Sequence, residues 1–407
     1  MEPKIRIKGF CGEWEYKKLS SLTSVRGGYA FQSSLFQKSG IPVVRISNIL
    51  SNGSVGGDFA YYPKLDGDSN VTLHDKDVVI AMSGATTGKI ARVEIGDGVL
   101  YQNQRVGLFT KTGKVNYDFL YAVLNRPHFN ELLNKLLTSS AQPNASSADI
   151  ESIEMGFPLD AEEQKALSNY ILSLDSLIQS TTKKIESLKQ VKAASLQTML
   201  PQEGETTPRV RFKGFEGEWE NKTLGECLTI NNERNQNNVY GINDVLSVSD
   251  EVGVVNQIKL LGRSYAGKSV ANYRILKTNQ IVYTKSPLKS KPYGIVKVNK
   301  GAVGIVSVLY AVYDANEDVY PDYIHYYFEP THRINNYLLP LINKGAKNTM
   351  NISDEMALTG NIWIPSFDEQ KKIADYLQAL DSQITLQIQR LEKLKQIKSA
   401  CLDNMFV

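Results

Sequence analysis

Cysteine is scarce in this chain. Cys11, Cys227 and Cys401 are the only three in 407 residues, and no two stand at a CxxC spacing. That excludes a disulfide framework and a cysteine-based zinc site, and it points to a reducing, cytoplasmic setting. Net charge is nearly absent: 46 Lys+Arg against 43 Asp+Glu leave +3. Bulk charge therefore names no partner, and any basic surface has to come from local clustering. No apolar run approaches the ~18 residues that span a bilayer. The opening Met1-Glu2-Pro3-Lys4-Ile5-Arg6 lacks the apolar stretch of a signal peptide. Histidine is rare as well: His74, His128, His325 and His332 are scattered, with no acidic or cysteine companion at metal-ligand spacing, so no metal site is expected. There is no GxGxxG and no GxSxG. Gly84-Ala85-Thr86-Thr87-Gly88-Lys89 resembles a phosphate loop but has three residues between its glycines, with Ile90 where Ser or Thr would bind magnesium. It reads as a tight turn between strands. No catalytic residue is assigned, and the chain reads as a binder without chemistry of its own.

What the chain does have is apolar material for more than one core, 42% of residues, and a length that suggests two or three domains. It also repeats itself. Arg6 to Leu19 reads RIKGFCGEWEYKKL and Arg211 to Leu224 reads RFKGFEGEWENKTL; ten of the fourteen positions are identical. Later, Glu163 to Leu200 and Glu369 to Phe406 share 16 of 38 positions. The two blocks recur at offsets of 205 and 206, so one unit of about 205 residues is used twice. Residues 25–150 and 230–355 do not align beyond scattered positions. Matched ends around unmatched middles suggest one frame carrying two different readers.

The later blocks are helical by pattern: neither contains Pro or Gly, and both are rich in Leu, Lys, Gln and Glu. Ile171, Leu174, Ile178, Ile185 and Leu188 follow a 3-4 spacing, as do Leu377, Leu380, Ile384, Leu391 and Leu394. Thr181 and Gln387 interrupt the two seams at corresponding steps. Asp160 and Asp368 are the expected N-caps. A helix of that length, about 57 Å, exceeds the width of a domain of this size, so the two are expected to pair lengthwise. An antiparallel pair would put the two domains at opposite ends with pseudo-two-fold symmetry; a parallel pair would set them side by side. The expected fold is thus α+β: two globular mixed α/β domains, 1–158 and 204–366, separated by long helices at 159–203 and 367–407 that form an antiparallel coiled coil.

Short strands are expected at 42–46, 77–81 and 99–101 and at 244–248, 280–283 and 294–298, with helices at 117–124, 129–137 and 323–328. Charge is the most informative local feature. Lys259 to Lys300 holds ten basic residues and no acid, interleaved with Tyr265, Tyr273, Tyr283 and Tyr293. Tyr16 to Gly57 holds Lys17, Lys18, Arg26, Lys38 and Arg45, again without an acid. Such faces attract phosphate backbones; the competing reading is a solvated lysine-rich loop. Gln102-Asn103-Gln104-Arg105 groups side chains suited to adenine and guanine edges. Gln142-Pro143-Asn144 and Lys347-Asn348 lie in polar loops before each long helix.

Taken together, these residues resemble the specificity (S) subunit of type I restriction–modification systems. The resemblance covers the whole chain. It rests on Gly9-Phe10-x-Gly12-Glu13-Trp14 and Gly214-Phe215-x-Gly217-Glu218-Trp219, on 42–49 and 81–88, on Gln142-Pro143-Asn144, and on the Glu-Gln-Lys opening each helix at Glu163 and Glu369. The resemblance implies two target-recognition domains, each reading one half of a bipartite DNA site. It implies a two-helix spacer, which at about 50 Å spans at most about 15 base pairs. It also implies two modification (methyltransferase) subunits as partners, with restriction subunits joining them. S-adenosylmethionine, ATP and magnesium are then expected on those partners and no cofactor on this chain. The second half departs from the pattern, with 286–294 standing where the 84–88 turn would be.

Candidate contacts to double-stranded DNA are Arg26, Arg45, Asn48, Thr86, Lys89, Gln102, Asn103, Arg105, Gln142 and Asn144 in the first half. In the second they are Arg263, Lys268, Lys285, Lys289, Lys291, Tyr293, Lys347 and Asn348. Two other readings stay open at this point: a coiled-coil scaffold with incidental basic faces, and a nuclease or methyltransferase with an unrecognised site.

Overall fold

The structure is a computed structural model that describes residues 2–140, 144–267, 269–286, 291–344 and 350–407. The chain divides into two compact units, Met1–Lys183 with Gln389–Val407, and Lys184–Ile388. Each long helix therefore contributes one segment to each unit, whereas the expected boundaries kept the helices apart from the domains.

The framework of the first unit begins with the GEW motif. Strand Trp14–Lys18 pairs antiparallel with Glu154–Pro158, Trp14 facing Pro158. The chain then passes directly into the first long helix, Ala161–Thr198. That route brings the opening motif to the helix start. Arg6 Nε and Nη2 donate to the two carboxylate oxygens of Glu163 at 2.8 and 2.7 Å, and Nη1 donates to the Gly12 carbonyl at 2.7 Å. Glu163 is only 1% exposed. A carboxylate loses several kcal/mol of hydration on burial, and a bidentate guanidinium is the partner that best replaces it. Its place in the first helical turn adds the favourable field of the helix N-terminus. Beside it, Gln164 accepts from the Asn116 N–H at 3.0 Å and donates to the Pro158 carbonyl at 2.9 Å.

The second unit builds the same device from its own residues. Glu220–Thr223 pairs antiparallel with Asn361–Ile364, which leads into the second long helix, Phe367–Asn404. Arg211 grips the fully buried Glu369 at 2.6 and 2.7 Å and donates to the Gly217 carbonyl at 2.6 Å. Gln370 accepts from the Tyr320 N–H and donates to the Pro365 carbonyl, at 2.8 and 2.9 Å. The motif tryptophans repeat as well. Trp14 meets Phe119 edge-on at 6.1 Å, and Trp219 meets Tyr323 edge-on at 6.1 Å.

The first long helix begins at Ala161, directly after its expected cap, and the second at Phe367, two residues before the start that an Asp368 cap implies. Asp160 caps the first, its Oδ1 accepting the Glu162 N–H at 2.8 Å. The second corrects the expectation: Asp368 lies inside the first turn, and the Ser366 carbonyl receives the Glu369 and Gln370 N–H groups. Within each unit the helix segments run antiparallel. In the second, Lys192 Nζ meets Asp381 at 2.6 Å and Ser195 faces Tyr376. In the first, Lys398 Nζ meets Asp175 at 2.5 Å, and Leu167 and Ile171 join one core with Leu402, Met405 and Phe406. Each ion pair is the other displaced by 206 positions in both residues. Of the expected seam, Ile171, Leu174, Ile185, Leu188, Leu377, Leu380 and Ile384 are buried; Ile178, Leu391 and Leu394 are half-buried.

The middles, which do not align in sequence, share a sheet. In the first unit a four-stranded sheet runs in the order Val25–Gly27, Val106–Phe109, Val78–Ala81, Ile90–Arg92. In the second the order is Leu228–Ile230, Ala311–Ala315, Ile281–Tyr283, Val296–Val298, the same path through corresponding segments. A ladder asks only for backbone pairing and an apolar face, so identity can drift while topology persists. What differs is the attachment. The first unit adds a second four-stranded sheet, Ala60–Tyr62, Ile41–Val44, Leu100–Gln102 and Thr72–Leu73. The second adds two ribbons, Leu246–Ser249 with Gly253–Asn256 and Arg274–Leu276 with Gly304–Val306.

Removing one member of a buried pair strands the other charge. Glu163→Ala and Glu369→Ala are each expected to cost about 3 kcal/mol, whereas the exposed Glu162→Ala should stay within about 0.5 kcal/mol. Denaturant unfolding of the full chain measures all three.

Candidate nucleic-acid interface

In the first unit, backbone hydrogen bonds gather three loops at one edge of the sheets. Ile41–Val44 runs parallel to Leu100–Gln102, so the residues that follow each strand emerge together. Asn103 N–H donates to the Val44 carbonyl at 3.1 Å, beside Arg45. Met82 N–H donates to the Arg105 carbonyl and Ala145 N–H to the Met82 carbonyl, both at 2.9 Å. The tight turn expected at 84–89 is a single 3-10 turn, Gly84–Thr86, between strands Val78–Ala81 and Ile90–Arg92. Gly84 and Gly88 have φ of +71° and +85°, and a Cβ at Gly88 would lie 2.5 Å from Asn130 Oδ1. The positive φ favours glycine at Gly88, and a larger residue would also have to displace the end of the Asn130 side chain. The backbones at Arg45, Asn103, Arg105 and Asn144 are thus drawn close together, with the turn bearing Thr86 following Met82, while Lys89 lines a pocket with Ser51, Asn125 and Asp175.

Their commitments differ sharply from those of the other candidates. The Arg45 and Arg105 guanidinium groups are exposed and make no hydrogen bond or ion pair with any described residue. Lys89 donates only to Ser51 Oγ, at 3.1 Å. By contrast Gln102 is fully buried: its Oε1 accepts from Arg26, and its Nε2 donates to the Arg26 and Val106 carbonyls at 2.8 Å. Arg26 is spent on Gln102 and the Thr72 carbonyl. Asn48, 1% exposed, accepts from Arg45 N–H and donates to the Gly56 and Asp58 carbonyls. Gln102 and Asn48 are buried and committed within the fold, and Arg26 is half-buried with its guanidinium bonded to Gln102 and to backbone carbonyls. Gln142 lies outside the described residues.

The second unit revises the expected basic face. Of the eight described cations in 259–300, six reach acids elsewhere in the chain. Lys291 and Lys297 share Asp250, at 2.8 and 3.5 Å, and Lys300 reaches Asp322 at 2.5 Å. Lys277 pairs with Glu233, while Arg274 and Lys285 both bind Asp354. Burial of Asp354 favours its neutral form, but the hydrogen bonds from Lys285 and Arg274 outweigh it and hold the carboxyl below its ordinary value. Lys291 also donates to the Glu329 carbonyl at 2.9 Å and is buried. Tyr293 is half-buried against the core, and its carbonyl accepts from Tyr283 Oη at 2.7 Å. The stretch from Lys285 to Gly294 does connect the strands that match those flanking the 84–88 turn. Arg263 is exposed, its guanidinium 4.6 Å from the Tyr265 ring centre and in no ion pair with any described residue. Lys268, Lys289, Lys347 and Asn348 lie outside the described residues.

Tyr29 was not among the candidates the sequence offered, and His325 was noted only as one of four scattered histidines. Tyr29 lies beside Asn103 in a backbone bridge, next to Gly28; Gly27-Gly28 before an aromatic was its only signal. His325 is half-buried, with Nδ1 3.2 Å from the Val296 carbonyl. Burial, reinforced by the charge of Lys297, lowers its pKa to about 3.

Two outcomes follow. Gln102→Leu should destabilise the chain by about 1–3 kcal/mol, because it strands the Arg26 and Val106 groups, whereas Arg105→Ala should leave stability within about 0.5 kcal/mol. His325 takes no proton in the folded state until about pH 3, but does so near pH 6.5 when unfolded. Its neutral burial therefore costs nothing above pH 6.5. It destabilises by up to about 1.4 kcal/mol per unit as pH falls below that. His325→Phe should flatten this part of the stability–pH curve, measured by denaturation between pH 7.5 and 4.5.

Comparison with known proteins bears on both units. The family model described as "Type I restriction modification DNA specificity domain" matches twice, over residues 12–190 and 216–396. The MjaVIII type I restriction enzyme specificity subunit of Methanocaldococcus jannaschii is 27% identical over 213 residues, 50% of this chain and 48% of its own length. The EcoBI specificity subunit of Escherichia coli is 23% identical over 180 residues, 44% of this chain and 36% of its own. The matches thus span half or less of these relatives. In fold, the chain is similar to the crystal structure of a type I restriction–modification S subunit from M. genitalium. The TM-score is 0.61 at 13% identity, with 100% of this chain and 99% of that one covered.

Proposed function

The chain belongs to the type I restriction–modification DNA specificity family, and from that premise we propose that it is the DNA-recognition subunit of such a system, with each unit reading one half of a bipartite site. The observation that carries this reading is the surface of the first unit. Arg45 and Arg105 are exposed and make no hydrogen bond or ion pair with any described residue, and Asn103 lies beside them. Arginine left without an internal partner can neutralise phosphate or fork onto guanine, and asparagine suits adenine. Thr86, Lys89 and Asn144 stay with this proposal as further contacts. In the second unit Arg263, backed by Tyr265, is an exposed cation with no ion pair among the described residues. Lys268, Lys289, Lys347 and Asn348 stay with this proposal as sequence-based candidates. Lys285, Lys291 and Tyr293 shape the loop from within.

The chain carries no chemistry in this reading. Methyl transfer from S-adenosylmethionine and ATP-driven, magnesium-dependent cleavage belong to two modification subunits and to restriction subunits bound to it in the cytoplasm. The repeated opening motif and helix start give like partners like surfaces.

The test is a map of methylated sites in cells carrying this chain with its modification subunit. One bipartite motif is expected, and replacing 230–355 with the same segment of a relative should change only one of its halves. A motif that changes in both halves, or in neither, contradicts the reading. Affinity for the mapped site should fall linearly in log K against log salt, and Arg45→Ala or Arg105→Ala should each lower that slope by about 0.9 where the contact is to phosphate. A scaffold with incidental charge would show no such slope.

A further inference from the structure

We propose that Tyr29 is a stacking contact of the first DNA half-site: its ring packs on one nucleotide there, held in place by Gly28 and by an aromatic column behind it. The inference rests on the DNA-recognition reading given above and adds to it a residue that reads by its ring face.

Four observations converge on this residue. Tyr29 is 41% exposed, although a large aromatic side chain usually turns inward. It stands on the surface that holds the uncommitted side chains: its carbonyl accepts the Gln104 N–H at 2.9 Å, and its backbone bridges Asn103. The ring is braced from behind. It meets Phe31 edge-on at 5.0 Å; Phe31 lies nearly parallel to Tyr101 at 5.8 Å and edge-on to Tyr62 at 4.7 Å. Tyr62 and Tyr101 are 1% and 0% exposed, so the column is anchored in the core. Finally, the approach is enforced. A Cβ at Gly28 would stand 2.2 Å from the Asn103 carbonyl oxygen, so only glycine lets this strand close on the segment bearing Asn103 and Arg105.

An exposed aromatic ring among cations and amides has the composition of a nucleotide-stacking platform, in which the cations meet phosphate and the ring takes a base face. Rigid backing matters because a ring already fixed loses little freedom on binding. The bland alternative is that Tyr29 merely covers Phe31. That role would be filled as well by an aliphatic side chain.

The discriminating experiment uses the full chain assembled with its modification subunit, and duplexes of the mapped site carrying 2-aminopurine at successive positions. Wild type and Tyr29→Phe should change the emission at one position of the first half-site on binding. Tyr29→Leu, which still covers Phe31, should lose that change and bind about tenfold more weakly or worse. Second-half positions should not respond to any Tyr29 variant. Equal emission and affinity for wild type and Tyr29→Leu would overturn the stacking role while leaving DNA recognition intact. Failure of the wild-type assembly to bind the duplex would overturn both. Melting of each variant within the range of wild type keeps a folding defect from imitating the result.

Discussion

The structure depends on a buried carboxylate that cannot stay buried alone. Glu163 and Glu369 stand in the first turn of a 38-residue helix, almost wholly shielded from water. Each is tolerable only because an arginine from the opening motif wraps it with two hydrogen bonds and donates from Nη1 to a glycine carbonyl. This contact joins residues nearly 160 positions apart. It makes the first strand, the last strand and the helix start of each unit a single closed frame. The neighbouring glutamine and tryptophan act at the same seam, tying the helix that follows the sheet to the frame.

Because the frame is closed by its ends, its middle is free to vary. The two units keep the same four-strand order while their sequences have parted, and each attaches a different second layer. One layer is a sheet with an aromatic column; the other is a pair of ribbons held by ion pairs. Divergence confined to the attached layers is what a pair of readers for unlike half-sites requires. The interhelical pair Lys192–Asp381 has a counterpart in Lys398–Asp175, so the helix segments of each unit obey the same register.

The frame was legible in the sequence because its constraints are local and strict: a GEW motif, an EQK helix start, a seam free of Pro and Gly. The cap of the second helix was not, since Ser366 and Asp368 are equally good candidates on paper. The shared sheet was invisible because strand pairing leaves no identity to align. Charge misled most. A window free of acids looked like an open basic face, but Asp250, Asp322 and Asp354 lie outside it in sequence and inside it in space. Gln102 misled for the same reason: its neighbours in the chain suggested a base reader, and its neighbours in the fold absorb its whole amide. The guanidinium groups that remain unpaired among the described residues, such as those of Arg45 and Arg105, are recognisable only after the paired ones have been subtracted.

The central claim is that each unit is closed by its own arginine–glutamate contact. Hydrogen exchange of the full chain with Glu163→Gln, set against Glu369→Gln, tests it most directly. The account predicts that Glu163→Gln speeds exchange in Trp14–Lys18 and Glu154–Pro158 and leaves Glu220–Thr223 and Asn361–Ile364 protected, and that Glu369→Gln does the reverse. Protection unchanged in both pairs of strands, or lost in both with either substitution, would contradict it.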